Sequence, residues 1–240
     1  MAKIMTKSTF TIALLAVLLA IPAYAGTLNK SIRIGDGEMS DGASSVNGSI
    51  TVGADATVDG DVSTVNGTVR IDSGARVGDA STVNGSVRLD DNVVADSVST
   101  VNGALKIGES TTVEGSVETV NGSITMKQGS SAGDDVSNVN GEISLTGVTV
   151  GGDVSTVTGD IELYGDTVVK GDVIVEKPGG WGSKKKRRMP KVTIGPGATV
   201  EGDIELEWEV ELYISDSARV GGVSGVMSMD DAVRFSGERP

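Results

Sequence analysis

The chain has 240 residues, of which 33 are acidic and 20 are basic, so its formal net charge at neutral pH is −13. It contains no histidine and no cysteine. A surface this negative repels nucleic acid, and the missing residue types exclude disulfides, Ser-His-Asp and Cys-His nucleophiles and the common zinc sites.

Residues 1–25 have the features of a secretory signal peptide. Lys3 and Lys7 precede an apolar run at 10–21, and Ala23-Tyr24-Ala25 is a small-residue cleavage site. The apolar run is shorter than the roughly 20 residues that a membrane-spanning helix needs. We therefore expect the chain to be exported to the periplasm or the cell surface.

A short internal repeat follows. The tripeptide Val-Asn-Gly recurs at intervals of 18 or 19 residues, and Val157-Thr158-Gly159 is an altered further copy. A period this short and regular is typical of a solenoid, in which each copy is one coil that buries its apolar face by stacking on its neighbours. The unaltered copies begin at Val46, Val65, Val83, Val101, Val120 and Val139.

Apolar residues within each copy are separated by even numbers of residues. This spacing predicts extended backbone with one face inward. At about 3.3 Å per residue, one copy has a perimeter of roughly 60 Å, enough for a closed coil with three short faces. The sequence therefore predicts an all-β, single-domain parallel β-helix of eight or nine rungs, each of 18 or 19 residues. In the first rung the predicted inward residues are Val46, Ile50, Val52, Ala56, Val58 and Val62, and in the second Val65 takes the place of Val46.

The repeats are expected to occupy residues 44–223. A degenerate half-coil at 26–43 is expected to start or cap the helix. The segment 224–240 is expected to form a C-terminal cap or tail, with Val226, Met227 and Val233 covering the last rung.

Glycine, asparagine and aspartate mark the predicted corners. Asn-Gly tolerates positive φ, so we expect it to turn the chain between faces. Stacked turns would align the asparagines in a structural ladder, with side-chain amides bonded from rung to rung. A second corner, Gly-Asp, would align aspartates in an acidic rail. The ladder residues are Asn47, Asn66, Asn84, Asn102, Asn121 and Asn140, and the rail follows Gly60, Gly78, Gly152, Gly171 and Gly202.

Two features suggest surface binding instead. Residues 176–190 interrupt the repeat with a glycine- and proline-rich loop carrying a basic cluster, which could contact an anionic lipid or a cell-envelope polymer, although a simply solvated loop is the alternative. The side chains at Thr64, Asn66 and Thr68 are expected to form an outward polar row that could bind a polysaccharide. The candidate contact residues of the loop are Trp181, Lys184, Lys185, Lys186, Arg187 and Arg188.

Carboxylates are the main remaining candidates for catalysis. The acidic residues recur about once per rung, as on a solvated face, and do not converge as an isolated pair. We therefore expect no catalytic residues, no metal and no cofactor. An enzyme acting on an envelope polysaccharide is a distant alternative.

Two segments, 56–62 and 194–204, share the rhythm Ala-x-Val-x-Gly-Asp followed by Val or Ile. In this respect the chain resembles bactofilins, the polymer-forming cytoskeletal proteins of bacteria, and also β-strand-repeat families described as adhesins. The resemblance implies a right-handed β-helix with a triangular core that polymerises end to end. The sequence thus favours a non-enzymatic, exported scaffolding protein, and the alternative is a surface adhesin or a polysaccharide- or lipid-binding module.

Overall fold

The computed structural model describes residues 29–179 and 188–240. In this part the chain winds through about ten turns of parallel strands stacked as a β-solenoid. The predicted all-β parallel architecture is confirmed, with slightly more turns than the eight or nine predicted. The predicted signal peptide, residues 1–25, lies outside the described residues.

Each regular turn contributes one strand to each of three faces. Face A forms an eleven-stranded sheet. Its strands are β1 (Ile32–Ile34), β4 (Ile50–Val52), β7 (Val69–Ile71), β10 (Val87–Leu89), β13 (Leu105–Ile107), β16 (Ile124–Met126), β19 (Glu142–Thr146), β22 (Asp160–Tyr164), β25 (Lys191–Ile194), β27 (Glu211–Ser215) and β29 (Val233–Phe235).

Face B is built from two-residue strands and face C from strands of up to five residues. Face B comprises β2 (Met39–Ser40), β5 (Thr57–Val58), β8 (Arg76–Val77), β11 (Val94–Ala95), β14 (Thr112–Val113), β17 (Ser131–Ala132), β20 (Thr149–Val150) and β23 (Val168–Val169). Face C comprises β3 (Ala43–Asn47), β6 (Val62–Asn66), β9 (Ala80–Asn84), β12 (Val98–Asn102), β15 (Val117–Asn121), β18 (Val136–Asn140), β21 (Val154–Thr156) and β24 (Val173–Val175). Two longer strands, β26 (Thr199–Leu206) and β28 (Arg219–Gly225), run from face B onto face C, and a 3-10 helix, Met229–Asp231, follows β28.

The strands pair in parallel from one turn to the next, and equivalent residues of the repeat lie directly opposite each other. Val69, for example, pairs with Ile50 on one side and with Val87 on the other. The insertion between β24 and β25 leaves this register intact, because Ile161 of β22 pairs with Val192 of β25. The residues inserted between these two strands therefore do not disturb the stacking of the turns.

The core is a continuous apolar column inside the coil. Most of the large fully buried side chains come from the strands of face A, and Ile204 and Leu206 of β26 are exceptions on face C. In the regular turns, faces B and C contribute smaller residues, such as Val77 and Ala80. Long aliphatic chains from one face thus fill the space left by short chains from the other two, as close packing in a narrow interior requires. The large buried set is Ile50, Ile71, Leu89, Leu105, Ile107, Ile124, Met126, Ile143, Leu145, Ile161, Leu163 and Ile194.

On face C, one predicted set of inward residues is wrong. Val46 and Val65 point outward and are only half-buried, whereas Ser45 and Thr64 are buried at 5% and 4% exposure. The alternation of inward and outward side chains restarts after the Asn-Gly corner, so counting in twos across that corner assigns the wrong side of the strand. The same finding overturns the predicted outward polar row at its first member, Thr64.

The prediction that the Asn-Gly corner depends on positive φ is also wrong. None of the ladder asparagines has positive φ, and most glycines that follow them do not either. Most of the residues with positive φ lie instead at the corner between faces A and B. There Asp55, Gly74 and Asn92 have φ of 56°, 75° and 59°. Glycine, asparagine and aspartate are the residues that tolerate this conformation most readily.

Candidate functional site

The asparagine ladder runs along the exposed corner between faces C and A. Each side-chain amide donates to the amide oxygen one turn earlier; from Asn66 to Asn140 these Nδ2···Oδ1 distances are 2.7–3.1 Å. Asn29 extends the column at one end, and Thr158, which replaces asparagine in the altered copy, bonds to Asn140 at the other. The amides therefore bond to one another along the corner, which gives them a structural role.

A second row of hydrogen bonds lies beneath the ladder, inside the coil. The Thr64 hydroxyl donates to the carbonyl oxygen of Gly48 at 2.8 Å, and Thr100 donates to that of Gly85 at 2.9 Å. These buried hydroxyls satisfy carbonyl groups that the corner would otherwise leave unpaired. The sequence signal for this row is the Ser or Thr that precedes most of the Val-Asn-Gly copies, although the sequence alone predicts that the Thr64 side chain points outward.

The same carbonyls explain why the corner needs glycine. A Cβ at Gly122 would lie 2.6 Å from the carbonyl carbon of Gly103 and closer still to its oxygen, and a Cβ at Gly103 would meet Gly85 in the same way. Real Cβ atoms essentially never approach another atom that closely. Glycine is therefore required by the close approach of successive turns.

The aspartate rail at the corner between faces B and C is bonded to the backbone. Asp153 Oδ1 accepts the backbone N–H of Asp172 at 2.8 Å, and Asp172 Oδ1 accepts that of Asp203 at 2.9 Å. Burial raises the pKa of Asp79, and the nearby charges of Asp61 and Asp96 raise it further. The carboxylates thus link one turn to the next, at an electrostatic cost that grows where several stack.

Only one residue of the predicted basic cluster, Arg188, lies within the described residues. Its guanidinium donates to Asp160 Oδ2 at 2.8 Å, and this hydrogen bond raises the pKa of Arg188. The backbone N–H of Lys191 donates to Asp160 Oδ1 at 2.8 Å. The C-terminal base of the loop is therefore held on face A. Trp181, Lys184, Lys185, Lys186 and Arg187 lie outside the described residues.

The C-terminal end of the coil is an open edge. Strand β28 pairs only with β26, and β29 pairs only with β27, among the described strands. Val226 and Val233 are 58% and 54% exposed, although Met227 packs against the core as predicted for a cap. The segment after residue 224 therefore adds a further strand and leaves two of the three predicted covering residues in solvent.

The first turn is open in the same sense. Strands β1, β2 and β3 each pair only with the strand of the following turn, as far as the described residues go. Met39 in β2 is 73% exposed. The predicted opening half-coil thus belongs to the helix as its first turn.

The described residues, 29–179 and 188–240, contain no group of three or more acidic side chains placed to hold a metal ion. Within the same ranges, no helix has the length and apolar character needed to cross a membrane. No protein-family model matches the chain, and neither a curated protein nor a solved structure is significantly similar to it.

Proposed function

We propose that this chain is a non-enzymatic, exported structural protein that associates end to end into a rod-like scaffold. The observation that supports this best is the open C-terminal edge, where β28 and β29 have no partner strand on their outer side among the described residues. Exposed backbone N–H and C=O groups of an edge strand readily pair with another strand.

Exposed apolar side chains accompany the open edges. Val226, Met229 and Val233 are exposed at the C-terminal end, and Met39 is exposed on the first turn. Apolar groups at an edge add burial energy to the hydrogen bonds that a second copy would form.

The repeat itself favours addition of further turns. The stability of a solenoid is approximately the sum of its turns and of the interfaces between neighbouring turns. A second copy stacked on the open edge would form one more interface of the kind already repeated along the coil.

The polar columns support a structural role over catalysis. The asparagines of the ladder bond to one another, and Asp153 and Asp172 of the rail accept backbone N–H groups from the next turn. Residues that would otherwise be candidates for chemistry therefore have structural partners.

Sedimentation velocity and negative-stain electron microscopy on the full chain test this proposal over a range of protein concentrations. We expect filaments that lengthen with concentration. The double variant Val226→Lys/Val233→Lys should shorten or abolish them, because it places charge on the open edge. The matched control Thr112→Lys/Thr149→Lys adds the same charge to exposed positions of face B and should assemble normally. A wild-type chain that remains monomeric at every concentration contradicts the proposal.

Export and surface binding through the basic loop stay predictions. Cell fractionation with N-terminal sequencing of the recovered protein tests the expected cleavage after Ala25. Recovery of the protein from the cytoplasm with its first residues intact would argue against export.

A further inference from the structure

Face A carries a row of cations on its outer side. Arg70, Arg88 and Lys106 occupy the same position in three successive turns, and Thr125 follows in the fourth. Parallel strands are about 4.8 Å apart, so these side chains are immediate neighbours. Like charges directly opposite each other destabilise a sheet, and such a row needs counter-ions.

The first two cations have counter-ions from a neighbouring row. Arg70 Nε is 2.7 Å from Asp72 Oδ1, and Arg88 Nε is 2.7 Å from Asp90 Oδ1. Arg70 also bonds to Asp90 in the next turn. Asp72 and Asp90 each follow directly after a strand of face A, so they occupy equivalent positions of the repeat.

In the next two turns this second row changes character. Gly108 stands where Asp90 stands one turn earlier, and Lys127 stands there one turn later. The backbone confirms the equivalence, because the N–H groups of all three donate to the preceding turn in the same way. At this position of the repeat, a carboxylate in one turn is followed by a glycine in the next turn, which leaves a gap, and then by a second cation.

Lys106 and Lys127 are consequently left without a counter-ion. Both are exposed, and neither takes part in an ion pair within residues 29–179 and 188–240. The gap cannot be filled by a side chain at Gly108, because a Cβ there would lie 2.6 Å from the backbone carbon of Asp90. In a chain with a net charge of −13, two neighbouring unpaired cations beside a gap are an exception.

A surface cavity of about 340 Å³ occupies this position, and its walls carry both charges. That volume lies at the lower end of the range for small-molecule sites, roughly 300–1,000 Å³. A carboxylate can approach the two lysines, where the repeat lacks its own carboxylate. The two aspartates would repel a bare anion but can accept hydrogen bonds from hydroxyl groups. The polar lining is Arg88, Asp90, Asp91, Lys106, Thr125 and Lys127.

We infer that this cavity, the face A cavity, binds a carboxylate-bearing saccharide of the uronic-acid class. The ligand's carboxylate lies between Lys106 and Lys127, and its hydroxyl groups donate to Asp90 and Asp91. The lysines favour a negatively charged ligand, and the aspartates favour a hydroxylated molecule over a simple anion.

Equilibrium dialysis of the full chain against radiolabelled galacturonate at low ionic strength tests this inference and does not depend on the assembly state. We expect saturable binding that Lys106→Gln/Lys127→Gln weakens by about tenfold, since two charge-assisted contacts are lost. The control Lys30→Gln/Lys170→Gln removes the same charge elsewhere and should bind as the wild type does. Thr125→Glu should also weaken binding, because it supplies an internal counter-ion.

Competition identifies the ligand class. Unlabelled galacturonate should displace the label, whereas galactose and acetate should each be far weaker competitors. Equal competition by galactose would overturn the role of the lysines, and equal competition by acetate or inorganic phosphate would overturn the saccharide assignment. Absence of saturable binding, or an equal loss in the two double variants with unchanged far-UV circular dichroism, would overturn the site itself.

Discussion

Replacement of Gly122 by alanine tests whether contact between turns is what requires the glycine column, which consists of the glycines that follow the ladder asparagines. Gly122 is not among the left-handed residues, so an alanine meets no backbone strain there. Its Cβ would lie 2.6 Å from the carbonyl carbon of Gly103, whereas ordinary contact begins at 3.4 Å. The carbonyl oxygen of Gly103 would be nearer still, so the corner of this turn would have to move away from the preceding turn by more than about an ångström, because packed atoms resist closer approach.

Such a movement breaks the hydrogen bonds that join the two turns at this corner. A donor–acceptor distance near 3 Å would grow to about 4 Å, beyond the range of a hydrogen bond. At about 1 kcal/mol net for each of three bonds, less about 0.5 kcal/mol for the reduced entropy of the unfolded chain, the free energy of unfolding should fall by about 2–3 kcal/mol. The bonds are Gly103 N–H to Asn121 O at 3.0 Å, Leu105 N–H to Ser123 O at 2.8 Å and Asn121 Nδ2 to Asn102 Oδ1 at 3.1 Å.

Urea unfolding followed by far-UV circular dichroism measures this change. Gly179→Ala is the matched control, since a Cβ there has no atom within 4 Å and the residue is not left-handed. The control should unfold at the wild-type urea concentration or slightly above it. If Gly122→Ala unfolds at the same concentration as Gly179→Ala, the glycine column is not explained by contact between turns.

Three further substitutions are tested by the same unfolding assay, two of them in the polar columns and one at the partly buried Glu118. Thr100→Val should lower the free energy of unfolding by about 1 kcal/mol, because it removes the buried donor to Gly85 O. The control Thr112→Val, on the outside of face B, should change the free energy of unfolding little. Equal effects would contradict a stabilising role for the buried hydroxyls that lie beneath the ladder. Asn102→Ala removes the bonds to both neighbours in the ladder and should cost about 1–2 kcal/mol; an unchanged midpoint would show that the ladder adds no stability. Burial raises the pKa of Glu118 above its ordinary value of 4.5, and a hydrogen bond from Ser116 partly opposes this rise. At pH values between 4.5 and the raised pKa, the folded state binds more protons than the unfolded state. The folded state therefore loses stability as the pH rises through this range. Glu118→Gln should therefore be more stable than the wild type at pH 7 and lose this advantage as the pH falls below 4.5, and an advantage independent of pH would refute the assignment.

Much of the fold followed from the sequence because a repeat of 18 or 19 residues with even apolar spacing leaves few alternatives to a stacked coil. The asparagine ladder was predictable for the same reason, since equal spacing puts equivalent residues in one column. The inward side of face C was not predictable by counting, because the corner at Gly67 resets the alternation between Thr64 and Val69.

Of the candidate sites, too, the sequence indicated one and gave no sign of the other. The sequence indicated the basic loop, but only Arg188 of its cluster is described, and it is paired with Asp160. The face A cavity had no local signature, because its residues come from successive turns and Gly108 acquires meaning only when it stands beside Asp90 and Lys127.

The sequence by itself thus determined the coil, its period and its stacked columns, since these depend on spacing along the chain. The tertiary structure decided which hydroxyls are inside, why glycine follows the ladder asparagines, where positive φ occurs and which cations lack a partner. These properties depend on the distance between one turn and the next, and the distance between turns is set by packing across the coil.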